Sequence, residues 1–147
     1  MKPGKVRPLA ICGFRHGDRI LTAEGYDDVK RETFYRPLGG RIEFGEYSHE
    51  TVAREVREEI GAEVANLRYL GTLESIFTYN GQQGHEIVIV YDGKFVDSTI
   101  YEREIIMGHE ADENYDGDMK VVWKSLDFFR RGEAPLYPTG LLELLLK

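Results

Sequence analysis

Three glutamates near the middle of the chain have spacings that bring their carboxylates together if the segment is helical. They are Glu55, Glu58 and Glu59. Residues three and four apart are neighbours on a helix surface, so Glu55 repels both of the others by roughly a few tenths of a kcal/mol per pair. A hard divalent cation such as Mg²⁺ takes carboxylate oxygens as ligands and would turn this repulsion into coordination. The alternative is a solvated charged face on which Arg54 and Arg57 screen the acids.

The residues around these glutamates predict the helix that must position them. Ser48 is a good N-cap and Gly61 suits the left-handed residue that ends a helix, so the sequence predicts a helix over residues 49–60. At about 100° per residue, the three glutamates form one stripe and the apolar residues form another about a third of a turn away. The apolar stripe consists of Val52, Ala53, Val56 and Ile60. We expect this stripe to pack on a sheet and the acidic stripe to face a cleft.

Residues 40–62 resemble the signature box of the Nudix hydrolases. That box reads Gly, five residues, Glu, seven residues, Arg-Glu, an aliphatic residue, any residue, Glu-Glu, any residue, Gly and an aliphatic residue. The matching positions here are Gly40, Glu46, Arg54, Glu55, Val56, Glu58, Glu59 and Gly61. Only Ala62, at the last position, is smaller than the usual aliphatic residue, which affects local packing rather than chemistry.

The resemblance implies an enzyme that depends on Mg²⁺ or Mn²⁺. Such enzymes hydrolyse a pyrophosphate bond in a nucleoside diphosphate linked to another moiety. By resemblance, the metals are held by the three glutamates of the stripe and the backbone carbonyl of Gly39, so Glu58 counts as both a metal ligand and a catalytic residue. Arg54 and Glu46 are the other catalytic residues of the box, and they would orient the ligands.

A further carboxylate outside the box is expected to orient or deprotonate the attacking water. An acid-dense stretch at residues 110–118 is interpreted as a loop, and Glu113 is preferred there over Glu110 because it is closer to the turn expected at Gly117. Glu86, at the start of a predicted strand, is the competing candidate. Part of the same stretch matches the beginning of a calcium-binding loop, but Trp123 occupies the position where that loop needs a glutamate.

Aromatic and basic side chains are candidates for contacting a nucleotide. Tyr35 is predicted to stack on a base, and Arg36 and Arg41 to hold phosphates. The same interpretation extends to Arg15, Phe34, Phe77, Tyr79 and Tyr91. For each of them, core packing or a solvated surface is the alternative.

Composition limits the classes of protein and partner. The chain has 147 residues, 41% of them hydrophobic and 31% charged, as expected for a single globular domain spanning residues 1–147. Because 26 acidic residues outnumber 19 basic ones and give a formal charge of −7, a nucleic-acid polymer is an improbable partner and a small nucleotide is preferred. The single cysteine, Cys12, fits a reducing compartment, and no signal peptide or membrane span is evident, so we expect a cytoplasmic protein.

The remaining pattern alternates strands with a few helices. Strands are predicted at residues 6–14 and 19–23, paired as a hairpin, and also at 33–35, 63–78, 86–95 and 121–123. Late helices are predicted through residue 130 and over 141–146, with Ser125 and Thr139 as N-caps. Together with the resemblance, this order predicts an α/β fold, a Nudix-type α/β/α sandwich in which helices flank a mixed β-sheet.

The box does not specify the substrate. Nucleoside triphosphates, dinucleoside polyphosphates, ADP-ribose and capped RNA ends are all hydrolysed by members of the family. A non-catalytic sensor that binds nucleotides in the same pocket is the alternative function, although a protein that only binds does not need all the box carboxylates. No pattern in the sequence reports the assembly state, and a homodimer is expected only because the family often forms one.

Overall fold

The structure, a computed structural model, describes residues 4–111 and 116–147. The helices are α1 (Ser48–Ile60), α2 (Leu126–Arg130) and α3 (Leu141–Leu145), and a 3₁₀ turn spans Ser98–Glu102. The strands are β1 (Val6–Cys12), β2 (Arg15–His16), β3 (Arg19–Asp27), β4 (Glu32–Arg36), β5 (Leu38–Arg41), β6 (Val64–Tyr79), β7 (Gln82–Phe95), β8 (Ile105–Ala111) and β9 (Asp116–Ser125). In the described part of the chain, no helix has the length and apolar character needed to cross a membrane.

The strands form two sheets. One sheet has the order β5-β1-β7-β6, and it is mixed because β1 runs parallel to β7 and antiparallel to β5. The other has the order β2-β3-β9-β8, with β4 added on β3, and its pairs are antiparallel. The predicted hairpin between residues 6–14 and 19–23 is wrong, because β1 and β3 belong to different sheets.

Side chains alternate along the strands between two hydrophobic cores. In β1, Ala10 and Cys12 join the core that contains Val52 and Val56 of α1. The intervening Leu9 and Ile11 join the core beneath α2 and α3. This period of two places helices on both sides of the sheets and confirms the predicted α/β/α sandwich.

The helix boundaries differ from the predictions at their N-termini. Helix α1 begins at Ser48 with Tyr47 as N-cap, because the Glu50 carboxylate accepts the Tyr47 amide at 2.9 Å. The Ser48 hydroxyl instead lies 2.7 Å from the Tyr91 hydroxyl, which ties α1 to β7. Gly140 rather than Thr139 precedes α3, whereas Ser125 caps α2 as predicted.

The described residues of the acidic stretch, 110, 111 and 116–118, lie in strands rather than in a loop. Glu110 lies in β8, which was not predicted, and the last predicted strand is extended to become β9. The two strands pair up to Ala111 and Asp116, so backbone hydrogen bonds order a sequence whose polarity indicated a loop. Strand β3 likewise continues to Asp27, into the predicted polar loop at residues 25–30.

Candidate functional site

Strand β5 and helix α1 hold a buried carboxylate between them. The Gly39 amide donates to Glu59 Oε1 at 3.1 Å, and the Glu59 side chain belongs to a residue that is only 7% exposed. Burial raises the pKa of Glu59 well above its ordinary value, and the charges of Glu55 and Glu110 raise it further, while Arg36 and the Gly39 amide oppose the shift. The Glu59 carboxyl group is therefore buried from water and lies close to two other acids, Glu55 and Glu110.

Two adjacent glycines allow α1 to approach the strand this closely. Gly39 has φ of 147°, and a Cβ there would lie 2.2 Å from the carbonyl oxygen of Ala10 in β1. A Cβ on Gly40 would lie 2.4 Å from the carboxylate carbon of Glu55. Gly39 is thus required because β1 leaves no room for a side chain there. Gly40 is required because the Glu55 carboxylate occupies the space that a side chain would fill.

Arg54 connects the carboxylates of the box. Its guanidinium makes two hydrogen bonds to Glu46, from Nε at 2.8 Å and from Nη2 at 3.0 Å, and a third from Nη1 to Glu55 at 2.8 Å. Nη1 also lies 3.4 Å from Glu58 Oε2, and Nη2 donates to the Arg41 carbonyl at 3.1 Å. These contacts raise the pKa of Arg54 above its ordinary value and fix the side chain of Glu55.

Glu46 is itself held in place by hydrogen bonds from its own loop and helix. In addition to Arg54, the Thr51 hydroxyl donates to Glu46 Oε1 at 2.6 Å, and the Glu43 amide donates to it at 3.2 Å. The bonds from Arg54 are the largest cause that lowers the pKa of Glu46 from 4.5 to about 2. Glu46 is therefore anionic at neutral pH and orients the arginine that in turn orients Glu55.

The donor set suits a hard divalent cation. Glu55 and Glu59 offer carboxylate oxygens on the side of α1 that faces β5, and burial raises the pKa of Glu55 because little water reaches it. Within residues 4–111 and 116–147, no three acidic, histidine or cysteine side chains already converge on one point. Glu58 is 60% exposed and turns toward Arg54, so its side chain would have to rotate to complete a three-carboxylate site.

A cavity of about 580 Å³ opens beside this cluster. Gly39, Arg36 and Glu110 line the end nearest Glu59, and Arg36 forms an ion pair with Glu110. Glu110 thus lies close enough to Glu59 to affect its pKa. The favoured candidate for the outside carboxylate, Glu113, lies outside the described residues, as do Asp112 and Asn114 of the calcium-loop match.

The predicted nucleotide contacts divide between the cavity and other parts of the fold. Arg36, Phe34, Phe77 and Tyr79 line the cavity. Tyr35 does not, because alternate residues of β4 face opposite sides, and its ring packs on Phe128 and Phe129 of α2. Tyr35 therefore faces away from this cavity, whereas the neighbouring Phe34 lines it, and substrate contact by Tyr35 stays a prediction.

Other predicted contacts also lie away from the cavity. Tyr91 belongs to the α1 side of the sheet, and Arg15 Nη1 donates to the Leu145 carbonyl at 3.4 Å. Arg41 is exposed at the end of β5, beside the box rather than in the cavity. Conversely, Arg7, Ser75 and Tyr137 line the cavity although no pattern singled them out, because their positions depend on strand pairings that the sequence did not predict.

Comparisons with known proteins agree with this arrangement. Residues 6–125 match the NUDIX domain. The chain is 33% identical over 100 residues to the NAD-capped RNA hydrolase NudC of Pseudomonas aeruginosa, a match that covers 68% of this chain and 33% of that protein. The chain thus spans about a third of the length of this curated relative.

Solved structures with low sequence identity share the fold. A NUDIX hydrolase from Nitrosomonas europaea superposes with a TM-score of 0.61 at 17% identity, over 96% of this chain and 86% of that one. The E. coli ORF135 protein superposes with a TM-score of 0.56 at 21% identity, over 97% and 89% of the two chains. Since the domain match covers most of the sequence and includes every position of the box, the chain belongs to the Nudix hydrolase family.

Proposed function

We propose that the chain is a divalent-metal-dependent pyrophosphohydrolase, which cleaves the pyrophosphate bond of a nucleoside diphosphate linked to another moiety. The observation that carries this proposal is the placement of Glu55 and Glu59 against the two glycines of β5, of which Gly39 lines the cavity. Gly39 and Gly40 leave room for these acids, and Arg54 holds Glu55 in position. Buried acids with this much mutual repulsion have a clear use in binding a cation.

The residues that would hold Mg²⁺ or Mn²⁺ are Glu55, Glu58, Glu59 and the backbone carbonyl of Gly39. When bound, such a cation supplies charge neutralisation at the phosphate oxygens and favours loss of a proton from water. Glu46 and Arg54 act as positioning residues in this proposal, because Arg54 holds Glu55 and Glu46 holds Arg54. The side chains of the protein have two further tasks in this proposal, which are to bind the phosphates and to orient the attacking water.

Arg36 is the best placed side chain for binding phosphate within the described cavity. Its guanidinium pairs with Glu110 and lies close enough to the buried Glu59 to oppose the rise in the pKa of that acid, so its positive charge is near the end where the bond would be cleaved. Arg41 is proposed to assist from the edge of the site. Glu110 is proposed to orient the attacking water, because of its proximity to Glu59, and Glu113 stays a prediction for the same role.

A small nucleotide is the substrate class that the cavity favours. Its volume of about 580 Å³ falls within the range typical of small-molecule sites, roughly 300–1,000 Å³. The formal charge of −7 disfavours extended contacts with a nucleic-acid backbone. Because the Pseudomonas relative is named for NAD-capped RNA, that substrate is included as a competing possibility in the test below.

The test is hydrolysis of a panel of nucleoside triphosphates, ADP-ribose, a dinucleoside polyphosphate, NAD⁺ and NAD-capped RNA. We expect turnover with Mg²⁺ or Mn²⁺, and none with EDTA. Glu59→Gln should abolish turnover, whereas Glu74→Gln, a change at an exposed position on β6, should not. Tight nucleotide binding without any turnover would favour the sensor instead.

Three further features of the protein belong to the proposal. The chain is proposed to fold as one domain over residues 1–147. The helices α2 and α3 follow the region that matches the NUDIX domain, and they complete one of the two hydrophobic cores. A cytoplasmic location rests on the single cysteine, Cys12, which is buried and free. A homodimer is proposed because members of the family often form one, and analytical ultracentrifugation would test it.

A further inference from the structure

Three polar side chains form a row across the floor of the cavity. Arg7 of β1 is the direct partner of Glu86 of β7, and Glu86 is the direct partner of Ser75 of β6. Directly paired residues project from the same face of a sheet, and all three line the cavity. We call Arg7, Glu86 and Ser75 the polar row.

The polar row is buried without enough partners. Ser75 is 1% exposed, and its hydroxyl has no hydrogen-bond partner among the described protein atoms. The Arg7 Nε is also buried and unpartnered, and the closest approach of Arg7 to Glu86 is 3.5 Å. Because buried polar groups are almost always satisfied, a donor and a hydroxyl left open in a cavity indicate that a polar ligand completes them.

Aromatic rings enclose the same cavity. Phe34 makes edge contacts with Tyr79 and Tyr137, each with ring centroids 5.6 Å apart, and Phe77 lies 6.5 Å from Tyr137. Rings of this kind offer stacking surfaces to a flat, aromatic ligand. A polar edge on the sheet beside aromatic walls is the arrangement expected for a nucleobase.

Arg36 connects the polar row to the candidate catalytic acids. Its positive charge opposes the burial-induced rise in the pKa of both Glu86 and Glu59. One guanidinium therefore lies within electrostatic range of the polar row and of the box. A nucleotide whose base reaches the row can thus direct its phosphates toward Arg36 and Gly39.

The donors and acceptors of the row discriminate among bases. The Glu86 carboxylate accepts two hydrogen bonds side by side, and Arg7 donates beside it. The Watson–Crick edge of guanine presents a ring N–H and an amino group as adjacent donors, with the O6 carbonyl as an acceptor next to them. Adenine and cytosine place a ring nitrogen lone pair against the carboxylate, and uracil flanks its single N–H with two carbonyls.

We propose that the polar row recognises guanine, with Glu86 accepting from N1–H and the amino group, with Arg7 donating to O6 on one side of Glu86, and with the Ser75 hydroxyl on the other side accepting the second hydrogen of the amino group. This assignment deepens the proposed function, on which it rests for the direction of the phosphates. The base contacts themselves require neither a metal nor hydrolysis. Binding of the base can therefore be measured in EDTA, where no hydrolysis is expected.

The first experiment is calorimetric titration of the wild-type chain with GMP, IMP and AMP in EDTA. We expect GMP to bind at least about tenfold more tightly than AMP, since adenine sets a ring-nitrogen lone pair against the carboxylate where guanine offers a ring N–H donor. IMP, which lacks only the amino group, should fall between them. Equal affinities for GMP and AMP, or no measurable binding of GMP at millimolar concentrations, would overturn the assignment.

Two variants examine the row itself. Ser75→Ala removes an unsatisfied buried hydroxyl, so it should keep or slightly raise the melting temperature of the free protein while weakening GMP binding several-fold. Glu86→Gln should abolish the preference for GMP over AMP, and Glu74→Gln on the opposite face of β6 should preserve it. If Ser75→Ala folds normally and binds GMP as wild type does, the hydroxyl is structural and the assignment fails.

Turnover of the same bases separates this inference from the proposed function. Selective GMP binding without hydrolysis of any nucleotide supports the guanine site and refutes the hydrolase. Hydrolysis with equal kcat/KM for GTP and ATP supports the hydrolase and refutes the guanine site. A preference for NAD⁺ or NAD-capped RNA over guanine nucleotides also contradicts the assignment, because neither cap base has the edge of guanine.

Discussion

Replacing Glu46 by Gln separates the charge of this residue from its shape. The amide keeps an oxygen that can accept from the Thr51 hydroxyl, at 2.6 Å in the parent, but it gives Arg54 a neutral partner in place of a carboxylate. The side chains of Glu46 and Arg54 are 16% and 24% exposed, so the pair is only partly screened by water. We expect the variant to fold and to be less stable than the parent at neutral pH.

The size of the loss follows from the pKa of Glu46. Lowering this pKa from 4.5 to about 2 corresponds to at most about 3.5 kcal/mol, at about 1.4 kcal/mol per tenfold change in the dissociation constant. Solvent screening reduces this figure, and we expect a decrease of about 1–2 kcal/mol in the free energy of unfolding. Because the folded-state pKa is depressed, the stabilisation is complete above about pH 4.5 and disappears as the pH falls toward 2.

Urea denaturation between pH 7 and pH 3 measures this difference. Glu43→Gln is the matched control, because Glu43 lies 3.8 Å from the same guanidinium but is 66% exposed, so its loss should cost less than about 0.5 kcal/mol. The reasoning is refuted if Glu46→Gln unfolds at the same urea midpoint as the parent at pH 7. A difference from the parent that stays constant down to pH 3 refutes it equally, since the effect would then not come from the carboxylate charge.

Four other predictions concern the site and its surroundings. Glu59→Gln should lose at least about a hundredfold in kcat while melting at the parental temperature or slightly above, because it removes a repelled, buried charge; near-normal turnover in saturating Mg²⁺ contradicts the metal assignment. Gly40→Ala should displace the flexible Glu55 carboxylate and lower kcat by about tenfold or more with little change in melting temperature, as a thermal melt and a rate assay would show. Tyr35→Phe should leave kcat/KM unchanged, because Tyr35 does not line the cavity, and should cost about 1 kcal/mol of stability by urea denaturation, because it removes a 3.1 Å hydrogen bond to Glu24. Turnover should rise from pH 6 to pH 9, because the attacking water must lose a proton; a sharp maximum near pH 6.5 that one histidine substitution removes is the contrary result.

The box could be read from the sequence because its information is local. The apolar stripe, the left-handed Gly61 and the acidic stripe all depend on the period of one helix, and α1 has the predicted stripe with Val52 and Val56 fully buried. The pattern also indicated correctly that the acids would repel one another. It did not indicate that Glu58 would turn toward Arg54, because that depends on rotamers rather than on spacing.

Features that depend on how the strands pair could not be predicted from the sequence. The row of Arg7, Glu86 and Ser75 joins residues from three strands, and only their register reveals that they face one cavity. The direction of Tyr35, away from the cavity, did have a signal in the sequence. If residues 33–35 form a strand, Tyr35 and Arg36 face opposite sides, so they cannot both contact one ligand.

Polar composition misled the prediction for residues 110–118. Charged and glycine-rich sequences usually indicate loops, but Glu110 and Asp116 are on neighbouring strands joined by the backbone ladder. Glu110 is compensated by its ion pair with Arg36, which lies on another element. A contact between residues 74 positions apart leaves no trace in local periodicity.

The placement of the polar row on three adjacent, paired strands has a consequence for how this protein can diversify. Its three residues are anchored by backbone ladders, while the box acids depend on a separate segment, residues 39–61. Exchanging side chains in the row leaves both the ladder and the box untouched. A few substitutions in the polar row can therefore change which base is preferred in a duplicated copy of this gene, while the box stays the same. Related proteins that arise in this way should differ in their substrates before they differ in the reaction that they catalyse.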